Sequence, residues 1–101
     1  MKAILVKGIN QFNIEETPTP SVTPDSMLVK ILACGICGSD IRILGNGNKR
    51  VTYPAILGHE ICAEVVEIGK DVTGFAVGDR LAIGADIPCG TCDWCLSGNG
   101  N

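Results

Sequence analysis

Aromatic residues are scarce in this sequence: two Phe, one Trp and one Tyr make up 4% of 101 residues. Any core must therefore rest on Val, Ile, Leu and Ala. Histidine is scarcer still, with His59 alone. No apolar run approaches the roughly 20 residues of a membrane-spanning helix, because Lys, Glu or Gly breaks each stretch within about ten. The opening segment, Met1 to Gly8, has one early cation but too short an apolar run for a secretory signal, and no small-residue cleavage site follows it. A strand in a cytoplasmic protein is the expectation there. Runs of Lys or Arg are also missing, and a net charge of −3 argues against a nucleic-acid binder, which normally carries a basic patch. No G-x-G-x-x-G follows a strand. Gly45-Asn46-Gly47 and Gly98-Asn99-Gly100 lack the third glycine and the βαβ setting, so this stretch is not expected to bind a dinucleotide.

What is present suits one small globular domain, with 46% apolar and 19% charged residues. Alternation and β-branching predict strands over Ala3–Val6, Phe12–Glu15 (half-buried), Met27–Cys34, Ile61–Ile68 and Arg80–Ile83. Between the second and third lie Pro18, Pro20 and Pro24, which make residues 17–24 an extended loop. Ser39 and Asp40 are good N-cap types ahead of a short helix, Ile41–Leu44, closed by Gly45-Asn46-Gly47-Asn48. Turns are expected at Gly69-Lys70-Asp71 and Gly78-Asp79. The fold class that follows is mainly β, closer to a distorted barrel than to alternating β/α units. From Gly84 onward glycine and cysteine replace apolar residues, so something other than burial must order that lobe.

Six cysteines in a cytosolic chain point to metal ligands or reactive thiols rather than disulfides. Cys89, Cys92 and Cys95 stand at C-x-x-C-x-x-C spacing, and each two-residue gap lets the backbone turn back so that three thiols meet one ion. An iron–sulfur cluster uses a similar run but wants a fourth Cys three residues later, where Asn99 stands, so zinc leads. A second group combines Cys37 with His59 and Glu60: thiolate, imidazole and carboxylate, all zinc ligands. Taken singly these residues have ordinary readings, with His59 a satisfied structural residue, Asp40 a helix cap and Glu60 a surface charge. Cys34 and Cys37 have the spacing of a redox pair, but no thioredoxin-like βαβ pattern accompanies them.

Gly35-Ile36-Cys37-Gly38-Ser39-Asp40, then Gly58-His59-Glu60 with Gly69, then Val77-Gly78-Asp79-Arg80, then the cysteine run occur in one order along essentially the whole chain. In this the sequence resembles the zinc-dependent medium-chain alcohol and polyol dehydrogenases. The resemblance implies a GroES-like catalytic domain over residues 1–101, cut short, with residues 84–101 an incomplete structural-zinc lobe and the Rossmann domain absent. It implies catalytic-zinc ligation by Cys37 and His59, with Glu60 able to ligate or approach the metal. Ser39 would pass the substrate proton outward, and Asp40 would orient His59 and raise its basicity. Cys89, Cys92 and Cys95 would hold structural zinc. Cys34 and Cys62 match no ligand position and are expected to be buried apolar fillers.

The activity so implied, for a longer parent protein, is Lewis-acid catalysis of alcohol or polyol oxidation with hydride transfer to NAD or NADP. A small alcohol or polyol is the expected partner, and the parent a homo-oligomer free of nucleic acid and membrane. Two departures stand out. Ala63 replaces a usual glycine, and Arg42 stands where many members place a proton-relay histidine, so the relay would pass from Ser39 to water or to the cofactor ribose. The fourth structural cysteine of the pattern would fall two positions past Asn101, so the stretch is expected to end inside a motif, to hold zinc weakly and to lack turnover on its own. Three other readings share the scaffold: a co-chaperonin-like binding module, a stand-alone zinc module and a zinc-free quinone reductase. None of them needs Cys37, His59 and the thiol run together.

Overall fold

The computed structural model describes residues 1–85 and 87–98. Two antiparallel three-stranded sheets carry the chain. In the first, β1 (Lys2–Gly8) lies between β2 (Gln11–Glu16) and the two-residue β4 (Ala55–Ile56). In the second, β5 (Glu60–Ile68) lies between β3 (Met27–Gly35) and β6 (Arg80–Ile83). The helix α1 spans Gly38–Asn46, and a single turn, α2, spans Asp93–Leu96. The mainly β architecture expected from the alternation pattern is therefore present. Among the described residues the strands form these two sheets rather than one closed ring.

Local chemistry explains how the elements are tied. The β1–β2 hairpin turns at Asn10, whose φ of 56° is a left-handed value that Asn tolerates better than most residues. The Asn10 N–H donates to the Leu44 carbonyl at 2.7 Å, which docks the hairpin tip on α1. At the other end, Met1 and Thr17 exchange backbone hydrogen bonds. The loop after β5 returns to the proline segment, where the Gly69 N–H donates to Ser26 O and the Asp71 N–H to Pro24 O. A Cβ on Gly69 would collide with the carbonyl oxygens of Thr23 and Pro24, so only glycine fits there.

The buried apolar side chains are Val6 on β1 with Ala63 and Val65 on β5, small aliphatic residues as the lack of aromatics demands. The two sheets and α1 bound an open apolar recess of about 670 Å³. The radius of gyration is 15.8 Å, above the roughly 13 Å of a fully packed 100-residue domain. Those facts account for one correction. The strand over residues 12–15 exists, but Phe12 and Ile14 are exposed rather than half-buried, because β2 is a sheet edge facing the recess and its open side.

Two further expectations are corrected. Cys34 and Cys62 are exposed, not buried fillers. On β5 the side chains alternate across the sheet; Ala63 and Val65 point inward, so Cys62 between the turns of that alternation points out. The helix is also longer than Ile41–Leu44. Its N-cap is Cys37, and Gly47 (φ 73°) closes it, so Ser39 and Asp40 lie in the first turn instead of capping from outside. Expectations resting on Asn99, Gly100 and Asn101 lie outside the described residues.

Candidate metal centres

The first centre is built where β3 ends, α1 begins and β5 begins. Cys37 caps α1 with extended backbone angles (φ −89°, ψ 158°). Asp40, three residues on, is 7% exposed and turns its carboxylate back, so that the Cys37 N–H donates to Asp40 Oδ2 at 2.9 Å. This is the reciprocal half of a capping box, and it fixes the entry of the chain into the helix. Asp40 Oδ1 faces His59 Nδ1 at 3.5 Å. That separation is long for a formed hydrogen bond but close enough for the Asp40 charge to help raise the His59 pKa. One carboxylate thus faces both groups, Oδ2 the Cys37 N–H and Oδ1 the His59 ring.

With Nδ1 turned toward Asp40, Nε2 is the nitrogen left to face the cluster. Ser39 Oγ lies 3.4 Å from His59 Nε2. Donor atoms of Cys37, His59 and Glu60 all lie within 4.8 Å of one another. Cys37 and His59 are half-buried and Glu60 is exposed. The thiol of Cys37 is held below its ordinary pKa, first by the backbone N–H of Ser39 in the first helical turn, then by the Ser39 hydroxyl and by His59. The His59 pKa is raised, chiefly by its hydrogen bond with Cys37, with the Asp40, Cys37 and Glu60 charges adding to it against desolvation. A thiolate beside an imidazole and a carboxylate is a donor set suited to zinc.

Gly58 precedes His59 with φ 119°, and a Cβ there would stand 2.6 Å from Cys34 Sγ. Cys34 thus packs against the backbone that delivers His59, a contact the sequence hinted at only through the glycine. Arg42 is exposed on α1 and makes no ion pair among the described residues, so it is an ordinary solvated helix charge in this chain.

The second centre is the thiol run. Cys92 caps the single turn α2, and Gly90 (φ 73°) turns the chain between Cys89 and Cys92. Sγ of Cys95 lies 3.5 Å from that of Cys92 and 3.8 Å from that of Cys89. A tetrahedral ion with metal–sulfur bonds of about 2.3 Å separates its sulfurs by about 3.8 Å, so the spacing fits one zinc. It is far beyond a disulfide bond of about 2.05 Å. A [4Fe–4S] cluster, the kind whose cysteine run this spacing resembles, binds each cysteine to a different iron, which spreads the sulfurs farther than this. Cys89 is lowered to about 6 by N–H donors of Thr91 and Cys92, with the Thr91 hydroxyl 3.7 Å from its sulfur. A lobe with few apolar residues thus gathers its three thiols around one point. Three thiols are brought together here; the structure brings no fourth donor to them among the described residues.

Residues 23–101 match the family described as the alcohol dehydrogenase GroES-like domain. The chain is 40% identical over 104 residues to sorbitol dehydrogenase of Bacillus subtilis, an alignment covering 100% of this chain and 30% of that protein. It is 36% identical over 99 residues to acryloyl-coenzyme A reductase of Metallosphaera sedula, covering 97% and 30% respectively. A protein of Sinorhizobium meliloti 1021 classed by its likeness as a zinc-binding dehydrogenase, solved with NADP, superposes with a TM-score of 0.87 at 38% identity, over 98% of this chain and 29% of the other. The chain thus spans about 30% of the length of the curated relatives it matches. No helix among the described residues is long and apolar enough to cross a membrane.

Proposed function

Because the chain belongs to the alcohol dehydrogenase GroES-like domain family, we propose that it is the metal-bearing, substrate-facing part of a zinc-dependent dehydrogenase that oxidises an alcohol or polyol to a carbonyl using NAD or NADP. The observation that carries this reading is the convergence of Cys37, His59 and Glu60 within 4.8 Å, with Ser39 and Asp40 on either side of the imidazole. The similarity to a sorbitol dehydrogenase favours a polyol as substrate. Nicotinamide binding is assigned to polypeptide other than these 101 residues, since no glycine-rich dinucleotide motif lies here.

Cys37, His59 and Glu60 would hold the catalytic zinc. Zinc bound there supplies Lewis acidity toward a substrate hydroxyl. The remaining work falls to the chain's own groups. Asp40 holds the His59 ring by its Nδ1 side, leaving Nε2 toward the cluster. The first turn of α1 lowers the Cys37 pKa through the Ser39 N–H and so favours the thiolate a metal would bind. Ser39, whose hydroxyl touches the same imidazole edge, takes the substrate proton and passes it outward. With an arginine at position 42, that proton leaves to water or to a cofactor hydroxyl. Cys89, Cys92 and Cys95 would hold a structural zinc that orders the lobe within residues 84–101.

All six cysteines are free, which supports a reducing compartment, and the cytoplasm is the one proposed. The homo-oligomer common in such dehydrogenases is proposed with it. The decisive experiment is polyol oxidation and zinc content in the protein that contains this chain. Cys37→Ser is expected to lose one zinc and turnover while the thiol-cluster zinc stays. Full activity and unchanged zinc in Cys37→Ser would sink the proposal.

A further inference from the structure

Gly35 is the last residue of β3, and in the antiparallel ladder it is paired with Glu60, the first residue of β5. Directly paired residues project from the same face of a sheet. A Cβ at position 35 would stand 2.5 Å from Glu60 Oε2 and 3.1 Å from Glu60 Cβ. The Glu60 side chain therefore lies over the bare α-carbon of Gly35, in the arrangement that puts its carboxylate beside Cys37 and His59. Nothing in the backbone demands glycine there. Positive φ values occur at Gly47, Gly58, Gly74, Gly78, Gly90 and Gly98, and Gly35 is not among them. What position 35 requires is space.

We infer that Gly35 is a positioning residue: the missing side chain lets Glu60 fold across the strand pair and keeps its carboxylate in the Cys37–His59 cluster. This rests on the reading of that cluster as a metal site. The closest obstruction to a methyl group at 35 is a carboxylate at the end of a flexible side chain, which moves more readily than a strand. Glu60 Cβ, at 3.1 Å, must also give by a few tenths of an ångström, but both residues stand at strand ends, so Gly35→Ala costs the site more than the fold. The effect is specific to the first centre, because Cys89, Cys92 and Cys95 lie on a different lobe.

The test compares the full-length protein with Gly35→Ala, Glu60→Ala and the double variant. Zinc is the probe, its affinity is read by chelator competition, and thermal unfolding is followed alongside. Cys37→Ser identifies which zinc belongs to the first centre, and the thiol-cluster zinc is the internal control. Gly35→Ala and Glu60→Ala are each expected to weaken the first-centre zinc by about tenfold or more. The double variant should bind no more weakly than Glu60→Ala, because both changes remove the same carboxylate. Unchanged affinity in Gly35→Ala overturns the inference, as does a second full loss on top of Glu60→Ala. Should Gly35→Ala fail to fold, Glu60→Gly introduced beside it removes the collision and is expected to restore folding. Failure to fold in both would show that the glycine serves the backbone, and the inference falls. If Cys37→Ser loses no zinc, the metal reading fails and takes the inference with it; if Cys37→Ser loses one zinc that Gly35→Ala leaves tight, the inference alone fails.

Discussion

Asp40 performs two jobs with two oxygens, and a pair of substitutions should separate them. Oδ2 accepts the Cys37 N–H at 2.9 Å, and Oδ1 faces His59 Nδ1 at 3.5 Å. Asp40→Ala removes both. Losing a hydrogen bond to a charged acceptor costs about 1.5–3 kcal/mol, and losing a negative charge from the first helical turn costs about 0.3–1 kcal/mol more. A total of about 2–4 kcal/mol is expected, a large share of the stability of a small domain. Asp40→Asn keeps an oxygen acceptor for the Cys37 N–H and loses only the charge, so it should cost about 1 kcal/mol or less. Both variants should lower the His59 pKa, because the Asp40 charge is one of the causes that raise it.

The sign of the pH dependence follows. A raised histidine pKa contributes stability that is fully present below the unfolded value of about 6.5 and is lost as pH rises through the folded value. The deficit of Asp40→Asn relative to the parent should therefore be larger at pH 6 than at pH 8. Urea unfolding of the metal-free chain measures the stabilities. Proton NMR titration measures the imidazole, which needs no assignment because His59 is the single histidine. Equal destabilisation by Asn and Ala would refute the division of labour, and so would a His59 pKa that neither variant moves.

Two further outcomes can be checked on the same material. Val65→Ala should destabilise the chain by about 2 kcal/mol by emptying part of a fully buried site, while Cys62→Ala, beyond the sheet's inner face, should stay within about 0.5 kcal/mol; urea midpoints distinguish them, and similar losses would contradict the assigned faces of β5. Alkylation of Cys89 by iodoacetamide in metal-free protein should fall off in acid with a midpoint near pH 6, since N–H donors lower that thiol to about 6. The stability linked to the same thiolate should be present above the ordinary thiol value and be lost as pH falls through about 6; a reactivity midpoint above pH 8, read by mass spectrometry of the labelled peptide, would remove the proposed donors.

Much of the molecule was legible from residue order. The strands around Val6, Val29 and Val65 follow from alternation and β-branching, and the turns at Gly69 and Gly78 from turn chemistry. Both donor groups were legible too, because cysteines spaced by two residues and a lone histidine beside a glutamate are local features. The differences in burial share one cause. Phe12 and Ile14 read as the covered face of a half-buried strand, and Cys34 and Cys62 as buried fillers, because apolar character alone says nothing about whether a second layer covers them. The N-cap was misplaced because Ser39 and Asp40 have the stronger intrinsic preference for it, whereas Asp40 acts from the third helical position by reaching back to Cys37.

The sequence by itself therefore determined the chemistry available: which thiols, which imidazole, which carboxylates, and a strand-rich chain to carry them. Only the tertiary structure decided which of them meet. Cys37 and His59 are far apart along the chain and come together because β3 and β5 pair and α1 starts at the end of β3. Asp40 acquires its second task only when β5 brings His59 to its free oxygen. Gly35 acquires any task at all only through the ladder that sets it opposite Glu60. Pairing register is a long-range property, so a residue's partner across the sheet cannot be read from its neighbours in sequence.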